Sequence, residues 1–321
     1  MKHYWLAASA ALFIACSPAG PTPKADVSLA TEVMRVLSAD DMQGRRAGTE
    51  GNTKARRYIS EQAALLNGGI APEEQSLVRS MTRRGKTFDA VGTNLVLIIP
   101  GQNPSGPILE VTAHFDHLGA QGGEVFNGAD DNASGVGALF SILKSFREDP
   151  PQHEVRIVWL DTEEMGLTGA KDYVDTQLDD RPRVNLNLDM IAQNEAGTIY
   201  AAGTHHTPAL RPLIEKAAET VDIDVRFGHD RPEDGANDWT TQSDHGAFHA
   251  VGIPFVYFGV EDHPHYHRTT DEFETIPVAR YHAAVQLAVN TAHVLDDNLQ
   301  SIATPCTAPQ SEDPAAISTE L

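Results

Sequence analysis

The stretch TNLVLIIPGQNPSGPILEVTAH, residues 93–114, contains two β-rich runs separated by a turn rich in Gly and Pro. It predicts two neighbouring strands, at 93–100 and 108–114. Further strands are predicted at 155–160, 184–189 and 253–258, and helices at 133–147, 167–175, 208–220 and 277–295. Because strands alternate with helices, the expected fold is α/β, a three-layer αβα sandwich around a central mixed sheet.

The first residues have the features of an export signal. A basic start at Lys2 and an apolar run over 5–15 precede Cys16, and the run is shorter than the about 20 residues that cross a membrane. Residues 13–16, FIAC, resemble a bacterial lipobox, whose Cys is lipidated; an ordinary signal peptide is the alternative. We therefore expect an exported, periplasmic protein, anchored to the outer membrane as a lipoprotein.

Composition then divides the rest of the chain. No internal repeat or charge block splits its middle, so one domain is expected there. The expected divisions are a signal peptide over 1–15, a lipidated Cys with a flexible tether over 16–27, a catalytic domain over 28–300 and a disordered tail over 301–321.

Charge and cysteine content narrow the possible partners and metal ligands. A net charge of −21 argues against nucleic acid or anionic lipid as a partner, since both require a basic face. The two cysteines, Cys16 and Cys306, lie in the terminal segments, so a two-Cys zinc site is excluded. Any metal must be bound by His, Asp and Glu.

Histidines and carboxylates gather where the predicted strands end, the place at which α/β sheets bind ligands. These clusters are His114 and Asp116 in AHFDHLG, the loop GADDNASG at 128–135, Glu163 and Glu164 after the third strand, Asp189 after the fourth, and EDHPHYHRTTD at 261–271. Each alone has a structural explanation, such as a helix cap or acidic residues in a first helical turn. Together they supply a His and a carboxylate for each of two zinc ions, a shared Asp and a free Glu.

The chain resembles the bacterial co-catalytic di-zinc aminopeptidases, which belong with glutaminyl cyclase and glutamate carboxypeptidase among the zinc exopeptidases. Besides these clusters, the resemblance includes GRRAGTEGNTKARRYI at 44–59, GTNLVLIIPG at 92–101 and SDHGAFHAVGIPFVYF at 243–258. It implies the zinc exopeptidase fold. The interval 75–91 is too short for the inserted protease-associated domain of larger relatives.

The resemblance also implies roles for single residues. His114 and Asp189 would bind one zinc ion, and Glu164 and His267 the other. Asp131 would bridge them, although Asp130 stands where Asn is commoner and leaves open which acid bridges.

Of the remaining residues, Glu163 resembles the general base that activates a water held between the two ions, and Asp116 the partner of His114. A cis peptide after the bridging Asp is also implied. Ser243, Asp244, His245 and Phe248 are predicted to line the wall that contacts substrate.

The predicted function is removal of N-terminal residues from peptides that have a free N-terminus. Two alternatives are a glutaminyl cyclase, which uses one zinc ion to form N-terminal pyroglutamate, and a catalytically silent binding lipoprotein.

Overall fold

A single mixed sheet of eight strands forms the centre of the computed structural model, which describes residues 23–83, 85–193 and 196–306. The strands are β1 Glu73–Arg83, β2 Lys86–Ile99, β3 Asn103–His114, β4 Gly119–Gln121, β5 Glu124–Phe126, β6 His153–Leu160, β7 Arg183–Leu188, β8 Thr198–Ala202, β9 Asp224–Phe227 and β10 Phe255–Gly259. Their order in the sheet is β1-β2-β6-β3-β7-β10-β8-β9, while β4 and β5 pair separately.

Helices cover both faces of this sheet. They are α1 Val27–Leu37, α2 Glu50–Leu66, α3 Gly135–Glu148, α4 Thr168–Gln177, α5 Arg211–Ala218, α6 His245–Ala250 and α7 Val278–Ile302. Among the described residues, no helix has both the length and the apolar character needed to span a membrane.

Strand β6 explains why the fold has three layers. Its residues Ile157 and Trp159 belong to the larger apolar core, which includes α1, α3 and α7, while Val158 and Leu160 belong to a second core with α4 and α6. Since successive side chains of a strand point to opposite faces, both faces of β6 are covered. The predicted αβα sandwich is confirmed, and the described chain contains no inserted domain.

The sheet order corrects one prediction. β2 and β3, the strands that contain residues 93–100 and 108–114, are not neighbours, because β6 pairs with both of them. The chain leaves β3 through α3 and returns in β6 parallel to β3, on the side where β2 lies. A short Gly/Pro turn joins strands in sequence but does not require that they pair.

The chain near both predicted boundaries is folded. Asp26 caps α1 by accepting a hydrogen bond from the backbone N–H of Leu29 at 2.9 Å, and it pairs with Lys144. At the other end α7 extends to Ile302, and Thr304 forms a bridge with Arg183. The predicted signal peptide, Cys16 and most of the predicted tail lie outside the described residues.

The central strands bring the predicted site together. β6, β3, β7 and β10 all run parallel to their neighbours within this group, so their carboxyl ends lie at one edge of the sheet. The polar clusters that follow these strands in sequence are therefore close in space.

Candidate metal centre

One cavity at that edge of the sheet gathers the predicted ligands. It has a volume of about 380 Å³, and its lining includes the predicted ligands and the predicted base: His114, Asp131, Glu163, Glu164, Asp189 and His267. These six side chains come from five separate stretches of the chain. The cavity wall is completed by residues such as Met81 and Tyr266.

Asp131 lies at the centre of the group. Its Oδ1 is 3.5 Å from Nε2 of His114, and its Oδ2 is 3.1 Å from Nε2 of His267. His114 Nε2 is also 3.2 Å from Asp189 Oδ1, and His267 Nε2 is 3.8 Å from Glu164 Oε1. The carboxylate of Asp131 thus faces two sets of donors, one with His114 and Asp189 and the other with His267 and Glu164.

The structure distinguishes Asp130 from Asp131, the two acids between which the sequence left the choice open. Asp130 turns away from the cavity, where its Oδ1 accepts a hydrogen bond from the backbone N–H of Ala192 at 2.7 Å and its Oδ2 lies 3.0 Å from His263. The Asp131–Asn132 peptide is cis, as the resemblance implied.

The loop after β10 places its three histidines differently. His263 faces Asp130, and Nδ1 of His265 lies 3.0 Å from the hydroxyl of Thr270. Of the three, His267 is the one that lines the cavity. The same loop also supplies Asp271, whose carboxylate accepts hydrogen bonds from the backbone N–H groups of Asp130 and Asp131 at 2.9 to 3.2 Å.

The two glutamates after β6 are held by buried acids. Asp161 accepts hydrogen bonds from the side chain of Asn52 and the backbone N–H of Thr93, which fixes the strand end. Asp116 Oδ1 accepts the backbone N–H of Glu163 at 3.0 Å. Glu163 and Glu164 therefore leave a fixed turn.

Asp116 also lies beside His114, the partner that the sequence predicted for it. Nδ1 of His114 is 3.1 Å from the backbone oxygen of Asp116 and 3.7 Å from its carboxylate. The nearer contact is thus with the main chain. The ring keeps Nε2 directed at Asp131 and Asp189.

A buried arginine, Arg45, clamps the loop that carries Asp131. Its guanidinium donates to the backbone oxygens of Phe115, Leu37, Asn127 and Gly128 at 2.6 to 2.9 Å and reaches that of Asp131 at 3.5 Å. Burial lowers the pKa of Arg45 to about 10, so it remains charged at neutral pH. The motif at 44–59 therefore fixes the backbone of the loop that carries Asp131, a role that its sequence alone did not indicate.

His117 is a residue that sequence reasoning did not select. It is fully buried, with Nδ1 2.9 Å from Glu164 Oε1 and 3.6 Å from Asp131 Oδ2. An N–H at Nδ1 would donate to Glu164 and orient that carboxylate. The available signal was the spacing in AHFDHLG, where His117 follows Asp116 directly.

The four predicted wall residues lie behind the cavity. Ser243 accepts a hydrogen bond from Asn187 at 2.9 Å, His245 Nε2 lies 2.8 Å from the backbone oxygen of Trp239, Asp244 is buried, and Phe248 packs in the second core. Two exposed residues just before them in sequence, Thr241 and Gln242, line the cavity in that region. The prediction selected the correct segment, but the residues that line the cavity are the two that precede the predicted ones.

Burial and crowding act together on the carboxylates. Burial raises the pKa of Glu164 to about 7 and that of Asp244 to about 8, and it also raises the pKa of Glu163. Glu164 and Asp244 contribute to the shift at Glu163, while His114 opposes it. Several acids thus share a volume in which their charged forms are costly without a cation.

The donor set fits divalent metal ions. Within the described part of the chain, the salt bridges of Asp131, Glu164 and Asp189 are with histidines and involve no Lys or Arg. Two groups have donor atoms within 4.8 Å of one another, His114 with Glu163 and Asp189, and His117 with Asp131 and Glu164. Imidazole nitrogen and carboxylate oxygen are the ligands that zinc takes when thiolates are lacking.

Known peptidases are similar to this chain in sequence. A family model described as Peptidase family M28 matches residues 94–292. "Aminopeptidase YwaD" of Bacillus subtilis (strain 168) is 28% identical over 222 residues, which cover 65% of this chain and 46% of that protein. The chain spans about half the length of the curated relatives that it matches.

Solved structures share the fold at low sequence identity. The zinc aminopeptidase BSAP of Bacillus subtilis superposes with a TM-score of 0.67 at 18% identity, covering 90% of this chain and 100% of that one. Bacteroides thetaiotaomicron glutaminyl cyclase bound to N-acetylhistamine gives 0.66 at 16% identity, covering 85% and 99%. The same fold thus accompanies two different activities.

Proposed function

Because the chain belongs to peptidase family M28, we propose that it is a zinc-dependent aminopeptidase with two metal sites that share Asp131. The observation that carries the proposal is the position of Asp131, whose two oxygens face His114 on one side and His267 on the other. His114 and Asp189 would hold one ion, and His267 and Glu164 the other. This pattern suits a pair of ions better than a single one.

Bound zinc would supply a Lewis acid that polarises the scissile carbonyl and stabilises the negative charge that develops on it. Glu163 is the base in this proposal. Glu163 lines the same cavity as the proposed ligands His114 and Asp189, where its carboxylate can take a proton from the attacking water. As the C–N bond breaks, Glu163 returns that proton to the leaving amine nitrogen.

The lining of the cavity also favours a substrate with a free N-terminus. Among the described residues it contains no Lys or Arg that would repel the α-ammonium group of a peptide, and it includes Glu163, a carboxylate that is not one of the proposed metal ligands. A blocked N-terminus would lose the attraction to this carboxylate. Exopeptidase action on peptides is therefore the expected reaction.

The test is hydrolysis of aminoacyl 4-nitroanilides and N-terminal Gln peptides, with metal analysis on the same sample. We expect release of the first residue and two zinc ions per chain. Pyroglutamate formation with one zinc ion and no hydrolysis would instead identify a glutaminyl cyclase. Bound zinc with neither activity would support a silent binding protein.

Export and lipidation at Cys16 remain part of the proposal, supported by the sequence of residues 1–16. Metabolic labelling with palmitate should mark the full-length protein and should fail for Cys16→Ser. Labelling that persists in the variant would contradict lipidation at this residue.

A further inference from the structure

A second, smaller cavity adjoins the metal centre. It has a volume of about 190 Å³, and Glu164 lines both cavities. The loop after Glu163 separates them, since its Met165 faces the second cavity whereas Gly166 and Leu167 face the first. The centre therefore opens toward two adjacent spaces.

The β1–β2 hairpin covers both spaces. Met81 and Phe88 are register partners on its two strands; Met81 lines the first cavity and Phe88 the second. A methyl group added at Gly166 would lie 3.2 Å from the terminal carbon of Met81, so the hairpin reaches the separating loop. The cavities thus lie side by side beneath one element.

The charges of the two cavities differ. The first has four carboxylates in its lining and no Lys or Arg among the described residues, whereas the second has two carboxylates, Asp116 and Glu164, together with the cation of Arg46. Arg46 is exposed, and in the described part of the chain its guanidinium has neither an ion pair nor a hydrogen bond. An unpaired cation beside the centre of a chain with a net charge of −21 is available to an anion.

Two further features indicate that this space is built to receive a polar group. The stem of Arg46 lies on Gly119, where an added Cβ would come within 2.6 Å of the Arg46 Cβ, so the glycine leaves room for the arginine. His117 also lines the second cavity, and its Nε2 is buried without a hydrogen-bond partner among the described residues. Such a buried polar atom is costly unless a ligand or water meets it.

From this arrangement we infer that the enzyme prefers short peptides with a free C-terminal carboxylate, which Arg46 binds. The substrate N-terminus enters the acidic first cavity, and the part after the scissile bond enters the second. Because an extended residue spans about 3.5 Å, one or two residues beyond the scissile bond extend the chain toward Arg46. Dipeptides and tripeptides are the substrate class; this inference rests on the proposed aminopeptidase activity.

The experiment compares Leu-Gly-Gly with its C-terminal amide in the zinc-loaded enzyme. The KM of the amide should exceed that of the acid by about 10-fold, the effect of one charge-assisted contact. Arg46→Gln should bring this ratio close to 1, and Arg46→Lys should restore part of it. Arg57→Gln, which removes another exposed arginine without an ion pair, should keep the wild-type ratio.

Leucine 4-nitroanilide, which has no carboxylate, distinguishes a preference for the substrate carboxylate from aminopeptidase activity itself. If the wild-type enzyme cleaves the nitroanilide but shows equal KM values for acid and amide, the inference is wrong and the proposed function stands. An unchanged ratio in Arg46→Gln also overturns the inference. If the zinc-loaded enzyme cleaves none of the three compounds, the proposed function is wrong, and the inference that rests on it is wrong as well.

Discussion

The buried floor of the site, which includes Asp131 and Arg45, differs from its exposed rim, which includes Arg46 and Gln242. The two adjacent arginines illustrate the contrast. Arg45 is fully buried and contacts five backbone oxygens beside the candidate metal centre, whereas Arg46 is exposed and its guanidinium has no ion pair or hydrogen bond in the described part of the chain. On the floor each group is fixed by several others. At the rim, Arg46 and Gln242 are exposed and can adapt to a substrate.

This contrast assigns chemistry to the floor and selectivity to the rim. Changes on the floor should therefore abolish turnover, folding or metal binding, and changes at the rim should alter KM while the fold stays intact.

The largest effect is expected from Glu163→Gln. Loss of the base should lower kcat by about 10²- to 10⁴-fold, because no other group takes the proton from water. Zinc content should remain that of the wild type. The exposed Glu61→Gln is the control for the same change of charge, and near-normal turnover in Glu163→Gln would remove this residue from the mechanism.

Arg45→Met should destabilise the fold. It leaves buried carbonyls, including those of Phe115 and Gly128, without donors, so we expect a loss of about 3 kcal/mol or more in the free energy of unfolding. Urea denaturation measures the loss. Arg46→Met, one residue along, should change stability by less than about 0.5 kcal/mol; equal effects would show that the floor is not specially held.

His117→Ala should weaken zinc binding at the site formed by Glu164, because the carboxylate loses the group that orients it. Changes of this kind typically cost 10- to 100-fold in affinity, that is, about one to two decades. Competition with a fluorescent chelator measures the two binding constants. His265→Ala, in the loop that carries His267, is the control and should leave both constants unchanged. If His117→Ala also leaves both unchanged, the contact of His117 with Glu164 does not contribute to zinc binding.

The smallest effect is expected from Gln242→Ala at the rim. The side chain is exposed, so stability should change by less than about 0.5 kcal/mol. Relative to the wild-type enzyme, the KM of the variant should change by an amount that depends on the first residue of the substrate. Its kcat should stay within about threefold of the wild-type value. A variant that loses zinc would contradict the division between floor and rim.

The sequence predicted which histidines and carboxylates lie together in the cavity because their positions are local. Each predicted ligand stands at the end of a strand or in a short motif, and parallel strands bring such positions together without detailed knowledge of the packing. The alternation of strands and helices gave the layers for the same reason. His117 lay within a quoted motif, yet its contact with Glu164 depends on the ends of two strands that are far apart in sequence.

The rim could not be predicted in this way. Its surface depends on which turn of the segment before α6 faces outward, so Thr241 and Gln242 line the cavity where Ser243 and Phe248 were expected. Met81 reaches the centre from an antiparallel hairpin at the sheet edge. The insertion of β6 between β2 and β3 was likewise a matter of long-range packing.

In the proposed centre one carboxylate, Asp131, binds two metal ions. X-ray data collected on either side of the zinc absorption edge, from crystals grown with zinc, can show whether it does. We expect two anomalous peaks, one beside His114 and Asp189 and one beside His267 and Glu164, with Asp131 in contact with both. A single peak, or two peaks of which neither touches Asp131, would contradict it.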